Sequence, residues 1–135
     1  MNARIAALVL LVALTPVGGA FASDATFDMA KSQGRDDSTN PAYQRWYLEE
    51  MRPAFTPIFQ HSLGRCVPLA RGNELISLGL VFVVKADGSV GDFFASRETK
   101  FARCLEDAIR ARTYPPAPKD GFYFGFDFAP QSASA

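Results

Sequence analysis

The second half of the chain contains the pattern that most limits its fold. The stretch LGLVFVVKADGSVGDFFAS is followed by a charged segment and then by GFYFGFDF, with few residues between them. Short apolar or alternating stretches indicate strands, whereas apolar residues spaced three and four apart indicate a helix. The order strand, tight turn, strand, helix, strand predicts an α+β fold in which a helix covers a small sheet.

A hairpin forms the first part of this pattern. From Leu75 onward, alternate apolar positions predict a strand, and its buried face consists of Ile76, Leu78, Leu80, Phe82 and Val84. Asp87-Gly88 is the strongest short hairpin signal in the chain. It predicts that residues 90–95 return antiparallel to the first strand.

A helix and a last strand complete the pattern. We expect Ser96 to cap the helix, whose apolar face consists of Phe101, Cys104, Leu105, Ala108, Ile109 and Arg112. Pro115-Pro116 prevents the helix from continuing. The final strand places alternate aromatic residues on one face, namely Phe122, Phe124, Phe126 and Phe128. Such a row predicts core beneath the helix, and the alternative is a platform for a carbohydrate or a peptide.

The first half predicts helices. Asn40 supplies an N-cap and Pro41 a favoured first helical residue, and Pro53 should end or kink that helix. Thr56-Pro57 repeats the signal and predicts a short second helix that Gly64 terminates. Residues 23–39 are polar and lack apolar periodicity, so we expect a flexible arm there. The predicted domain covers residues 40–130, and residues 131–135 are expected to be a disordered tail.

The amino terminus resembles an export signal. Arg4 precedes an apolar run over residues 5–14, and Ala20-Phe21-Ala22 matches a cleavage site, so the mature chain should begin at Ser23. An uncleaved membrane anchor is the alternative, but Pro16 and the small residues argue against a stable span. Cleavage removes one basic residue from a chain with 14 basic and 14 acidic side chains. The resulting charge is too small to attract nucleic acid or an anionic membrane.

Two cysteines, Cys66 and Cys104, stand in this exported chain. Because the compartment outside the cytoplasm is oxidising, an even pair predicts a disulfide. A zinc site would need both cysteines, His61 and a fourth ligand, and no paired ligand spacing supports it. A mature chain of this size forms one small domain with a modest stability margin, to which a disulfide would add.

The order and spacing of these elements resemble a known family. Residues 79–128, with the DGSV turn and the TYPPAP break before the last strand, resemble the C-terminal domain of TonB. The paired cysteines resemble the soluble, cysteine-bearing periplasmic variants of that fold in the Gram-negative envelope. The resemblance implies a helix packed across a small antiparallel sheet and peptide binding at an exposed strand edge. Because the chain lacks a long proline-rich linker, we do not expect energy transduction.

The sequence offers little catalytic chemistry. His61 is the only histidine, and its neighbour Ser62 follows it directly along a helix, a spacing that does not turn two side chains toward each other. No nucleophile elbow, phosphate-binding loop or run of metal ligands is present in the sequence. We therefore expect a protein that is not an enzyme and uses no cofactor or metal.

Two functional classes remain. The first is a periplasmic binding or adaptor module that accepts an envelope protein or an extended peptide at a sheet edge. The last strand, with Tyr123, Gly125 and Asp127 on its outer positions, is the expected docking edge. The second is an inhibitor of an envelope hydrolase or an immunity-type protein. Its candidate loop covers residues 67–73, with Arg71 and Gly72 near the tip.

Overall fold

The computed structural model describes residues 24–128, and the predicted signal sequence and C-terminal tail lie outside them. The fold is α+β, as expected, with helices followed by a three-stranded antiparallel sheet of order β2-β1-β3. In chain order, the elements are α1 (Asp24–Thr39), α2 (Pro41–Trp46), a π-helical turn (Tyr47–Met51), α3 (Arg52–Cys66), a 3₁₀ turn (Val67–Leu69), α4 (Glu74–Ser77), β1 (Gly79–Val84), β2 (Val90–Ala95), α5 (Lys100–Arg110) and β3 (Phe122–Asp127). Of the described helices, not one has the length and apolar character that a membrane span requires.

Strand β1 lies at the centre of the sheet and is buried on both faces. Its residues Leu80, Phe82 and Val84 face α3 and α5, which we call the inner side, whereas Val81 packs against α1 on the outer side. The hairpin from β1 to β2 forms as predicted. Gly88 adopts a φ of 84° in its turn, a left-handed conformation that favours glycine.

The first strand begins later than the apolar pattern predicts. Residues 74–77 form α4, and Ile76 is 54% exposed rather than part of a strand face. Gly79 pairs with Asp127 at the end of β3, and Leu80 pairs with Ala95 at the end of β2. Beyond these pairs the ladder ends within one residue, at the bond from the N–H of Phe128 to Leu78, so residues 74–77 satisfy their backbone groups locally in a helical turn.

The cap of α5 is Thr99, not Ser96. The Thr99 hydroxyl accepts the N–H of Ala102 at 3.1 Å, which is the contact that an N-cap side chain makes. Ser96 instead accepts the N–H of Gly79 at 2.9 Å and so closes the end of the β1–β2 ladder. The predicted apolar face of α5 is buried at Phe101, Leu105 and Ile109.

Two prolines of the first half, Pro53 and Pro57, do not mark the helix boundaries that the sequence predicts. Asn40 caps α2 by accepting the N–H of Ala42, as predicted. Pro53 lies in the first turn of α3, where proline is tolerated, and the chain reaches it through a π-helical turn in which the N–H of Arg52 donates to Tyr47 five residues back. Pro57 lies inside α3 rather than at a new start.

Helix α3 also continues past Gly64, which does not act as a left-handed cap. Aromatic packing holds this helix in place. The ring centroids of Phe55 and Phe124 lie 4.8 Å apart, and those of Phe59 and Phe126 lie 4.9 Å apart. Tertiary burial of this kind routinely overrides local propensity, including the cost of an interior proline.

The flexible arm predicted for residues 23–39 is wrong, because residues 24–39 form α1. Its buried residues are Phe27, Ala30, Gly34 and Asp37, spaced three, four and three apart, as one face of a helix requires. Only Phe27 among them is a large apolar residue. The face therefore gives almost no signal in apolar periodicity, although it packs against the sheet.

The aromatic row of β3 is core, as predicted, at its first two positions. Phe122 is fully buried and Phe124 is 4% exposed, whereas Phe126 and Phe128 are half-buried. Their main partners lie on α2 and α3 rather than on α5, since Trp46 stacks edge-on against Phe122 at 4.8 Å. The first-half helices therefore supply most of the cover for this strand.

The predicted disulfide between Cys66 and Cys104 is present and joins the last residue of α3 to α5. Both sulfur atoms are used in this bond, so neither is a thiolate that could bind zinc. The bond fixes the end of the first-half helices against the helix that covers the sheet.

Candidate protein-binding edges of the sheet

A three-stranded sheet has two edges, and β3 forms one of them. The N–H of Phe128 donates to Leu78 at 2.8 Å. Since backbone groups alternate in direction along a strand, the N–H groups of Tyr123, Gly125 and Asp127 point away from β1. These three residues are the docking edge expected from the sequence.

Helix α1 runs along this edge and binds it at Tyr123, so the edge is not free there. A carboxylate oxygen of Asp37 accepts the N–H of Tyr123 at 2.9 Å. A Cβ atom at Gly34 would lie 3.4 Å from the Tyr123 carbonyl oxygen and 3.6 Å from the Gly125 nitrogen. Covering an edge with a helix is a common protection against unwanted strand pairing.

Polar contacts fix α1 in this position. The Asp37 side chain is only 4% exposed, and it receives an ion pair from Lys119 at 2.7 Å and a hydrogen bond from Gln33 at 2.9 Å, besides the Tyr123 N–H. A buried carboxylate needs several such donors to offset its lost hydration. At the other end of the edge, Lys31 pairs with Asp127 at 3.1 Å.

Strand β2 forms the opposite edge. The N–H of Ser96 donates to Gly79 at 2.9 Å, so by alternation the N–H and C=O groups of Phe93 and Ala95 point away from β1. Within residues 24–128, no hydrogen bond of the fold reaches these four groups. This short segment is an edge of the described sheet whose outward backbone groups have no partner.

A groove lies beside this edge, between β2 and α5. It has a volume of about 60 Å³ and is lined by Phe93, Ala95, Glu98, Ala102, Arg103 and Glu106. Three of these side chains are apolar and three are charged. A space of this size holds no more than one small side chain of an added strand.

Two features limit how far the open edge extends. The pairing register shifts between Phe82 and Val84, which marks an irregularity opposite residues 90–93. The carbonyl of Gly91 accepts a hydrogen bond from Arg110 at 2.8 Å, and Arg110 also pairs with Glu106 at 2.7 Å. Bulges and charges of this kind restrict open-ended pairing, so the edge suits one short strand.

The histidine and serine singled out by the sequence do not form a reactive pair. His61 is exposed on α3, whereas Ser62 is buried and its hydroxyl donates to the carbonyl of Ile58 at 2.7 Å. That is the back-bonding that serine commonly makes inside a helix. The geometry gives Ser62 no base that could activate it.

The candidate inhibitory loop is folded back on itself. The Arg71 guanidinium donates to the carbonyls of Ala70 and Pro68 at 3.2 Å and 3.4 Å. Gly72 follows with a φ of 58°. An inhibitor needs an anchor side chain that projects into its target, and Arg71 is bound to its own loop.

Two groups with shifted pKa values lie at the hairpin end of the molecule, away from both edges. Hydrogen bonds from the hydroxyl and N–H of Ser89 hold the pKa of Asp87 below its usual value. Burial raises the pKa of Tyr114 to about 12, and its hydroxyl donates to the Ile109 carbonyl. Local hydrogen bonding explains the first pKa shift and burial explains the second, so neither shift marks a functional site.

Comparison of the chain with protein-family models, with curated proteins and with solved structures finds no match. The resemblance of residues 79–128 to the TonB C-terminal domain therefore stays a prediction.

Proposed function

We propose that this chain is an exported, non-catalytic binding module that accepts an extended segment of an envelope protein at the edge of its sheet. The docking edge in this proposal is β2. The observation that carries it is the contrast between the two edges: α1 binds the N–H of Tyr123, whereas the outward groups of Phe93 and Ala95 have no partner within the described fold.

Strand addition suits the groups that this edge presents. Main-chain hydrogen bonds from an added strand give affinity, and pockets for alternate side chains give specificity. The edge offers two N–H and two C=O groups, and the adjoining groove admits one small side chain. We therefore expect a short, extended peptide with a small residue at the central position.

Charged side chains around the groove restrict what flanks that position. Glu98 and Arg103 lie 4.0 Å apart, and Glu106 pairs with Arg110. An added strand with polar or oppositely charged flanking residues can exchange with these exposed pairs at little cost, because each pair contributes little to stability. Long apolar residues at the flanking positions of the peptide would lie against these charged side chains, which disfavours them.

A peptide-selection experiment tests this function. A library of linear peptides is selected against the protein, and the binding of selected peptides is then measured by calorimetry. Ala95→Pro should abolish binding, since it removes an outward N–H that the fold does not use and proline is tolerated at strand edges. His61→Ala should bind as the parent does.

Amide chemical shifts locate the bound peptide. We expect the changes to concentrate at Phe93, Ala95 and the first turns of α5. Equal binding by the folded Ala95→Pro variant, or changes confined to residues 67–73, would contradict edge binding. The second result would favour the inhibitor alternative, which the folded-back Arg71 otherwise leaves with little support.

A further inference from the structure

Most large apolar side chains at the surface of the described chain belong to one short segment. They are Val67, Leu69, Leu75 and Ile76, each between 38% and 54% exposed. Met29 and Leu48, the other two in residues 24–128, lie on separate helices. A local concentration of exposed apolar residues marks a surface that meets a partner.

This segment is held firmly against the start of α5. The disulfide joins Cys66 to α5, and Thr99 donates to the buried carboxylate of Glu74 at 3.3 Å. Arg97 donates to Asn73 at 3.1 Å and also to the hydroxyl of Ser77. Residues 65–77 and 97–104 therefore form one surface, which we call the disulfide end.

The disulfide end is cationic, although the whole chain has a net charge of zero. Its basic residues are Arg65, Arg71, Arg97, Lys100 and Arg103, and its acidic residues are Glu74 and Glu98. Glu74 is buried, and Glu98 lies 4.0 Å from Arg103. Positive charge therefore dominates the exposed part of this surface.

A cavity opens on the same surface. It measures about 570 Å³ and lies between the end of α3 and α5, where the disulfide, Leu69, Ala108 and Ala111 form apolar walls. Arg65, Lys100 and Arg103 line it together with a single acid, Asp107. Neither Arg65 nor Lys100 has an ion pair or hydrogen-bonded side-chain partner within residues 24–128.

We propose that the disulfide end docks on an anionic phospholipid surface. Its exposed aliphatic side chains would enter the boundary between headgroups and acyl chains, and the unpaired cations Arg65 and Lys100 at the cavity would meet lipid phosphates. Interfacial binding depends on this combination of apolar area and basic charge. The excess of basic over acidic side chains on this surface complements the negative charge of phospholipid headgroups, and this charge match favours a lipid surface.

Vesicle flotation tests the docking directly. The protein that begins at Ser23, the mature start that the sequence predicts, is used. It should float with vesicles of phosphatidylcholine and phosphatidylglycerol, float poorly with phosphatidylcholine alone, and be released by high salt. Screening of exposed charges by salt predicts that last result.

Matched test and control variants distinguish binding through the disulfide end from non-specific effects of charge and apolar exposure. The first test variant combines Arg65→Gln, Lys100→Gln and Arg103→Gln, and it should weaken partitioning into anionic vesicles at least about ten-fold. The second combines Leu69→Ser and Ile76→Ser, and it should weaken partitioning by a similar factor. Two control variants change other parts of the surface. The first removes three exposed cations by combining Arg35→Gln, Lys85→Gln and Arg112→Gln. The second removes two exposed apolar side chains by combining Met29→Ser and Leu48→Ser. The controls should leave partitioning within about two-fold of the parent.

Each remaining outcome overturns the proposal. Failure to float with anionic vesicles would assign the disulfide end to a protein partner instead. Equal losses in the test and control variants would mean that the surface has no special role. Ala95→Pro, the variant that tests the peptide edge, should keep full lipid binding, so the two proposals fail separately. Circular dichroism checks that every variant is folded.

Discussion

The Asp37 carboxylate accepts the backbone N–H of Tyr123 across 86 positions of sequence, at a distance of 2.9 Å. This one contact ties the first described helix to the last strand. It also satisfies an edge N–H that would otherwise be available to another chain. The same carboxylate pairs with Lys119, which lies in the connection before β3, so α1 is held at two points of the chain's final segment.

Replacing Asp37 should loosen α1. Asp37→Ala leaves the Tyr123 N–H and Lys119 without their partner, and we expect the free energy of unfolding to fall by about 1–3 kcal/mol. Asp37→Asn keeps an acceptor oxygen and should cost less. Asp36→Ala, at an exposed neighbour, is the control and should change stability by less than about 0.5 kcal/mol.

Urea denaturation measures these differences, and hydrogen exchange locates them. The Tyr123 amide should exchange faster in Asp37→Ala than in Asp36→Ala, while amides of β1 stay protected. Unchanged protection at Tyr123 would mean that α1 covers the edge without this hydrogen bond.

The aromatic row of β3 should show graded effects. Phe124 is buried against Phe55 and Phe82, so Phe124→Ala should destabilise by about 3–5 kcal/mol. Phe126 is only half-buried, so Phe126→Ala should cost clearly less. Leu48→Ala, at a 48% exposed position, is the control. Thermal melts that rank Phe126 above Phe124 would contradict the burial described for this strand.

Sequence patterns predicted the parts of the fold that rest on large apolar residues or on turn chemistry. The Asp87-Gly88 hairpin, the buried face of α5 and the cysteine pair are confirmed. Each depends on residues that are close in sequence or on the redox environment, which a single sequence can indicate.

Helix α1 could not be predicted by the same rules. Its inward face contains Ala30, Gly34 and Asp37 beside one phenylalanine, and a buried carboxylate or glycine does not register as hydrophobic. Its position depends on partners about ninety residues away, such as Tyr123. The covered β3 edge was missed for the same reason. The spacing of residues 27, 30, 34 and 37 was the one signal available.

Removal of the disulfide should lower the free energy of unfolding, but the chain should still fold. Cys66 and Cys104 are separated by 38 positions, and the chain-entropy model assigns a loop of that length about 4 kcal/mol. Cys66→Ala with Cys104→Ala should reduce the free energy of unfolding by roughly that amount at most. Denaturation of the parent with and without reductant is the comparison. An unchanged midpoint on reduction would contradict the prediction.

Stability should fall in strong alkali through Tyr114. Burial raises its pKa to about 12 in the folded protein, whereas an unfolded tyrosine ionises near a pKa of about 10. Between these values the unfolded chain binds fewer protons, so unfolding becomes more favourable as pH rises. Below the unfolded pKa, the stabilisation from keeping this hydroxyl neutral is fully present.

Tyr114→Phe isolates the contribution, since phenylalanine does not ionise. Near pH 8 the variant should be less stable by about 1 kcal/mol, because it lacks the hydrogen bond to Ile109. That difference should shrink as the pH approaches about 12, where the parent loses stability. Urea denaturation at several pH values gives the comparison. A constant difference across this range would show that Tyr114 does not titrate with unfolding.

Substitution of Gly34 tests how closely α1 approaches the β3 edge. A Cβ atom there would make ordinary contacts with Tyr123 and Gly125, at 3.4 Å and 3.6 Å, and alanine removes the entropic cost of a glycine inside a helix. Gly34→Ala should therefore raise the free energy of unfolding by up to about 1 kcal/mol. Gly34→Leu cannot fit this space and should lower it by about 1–3 kcal/mol. Hydrogen exchange at Tyr123 and Gly125 should slow in the alanine variant and accelerate in the leucine variant. If both variants matched the parent in stability and exchange, α1 would not pack on the edge in solution, and β3 would become a second edge open to an added strand.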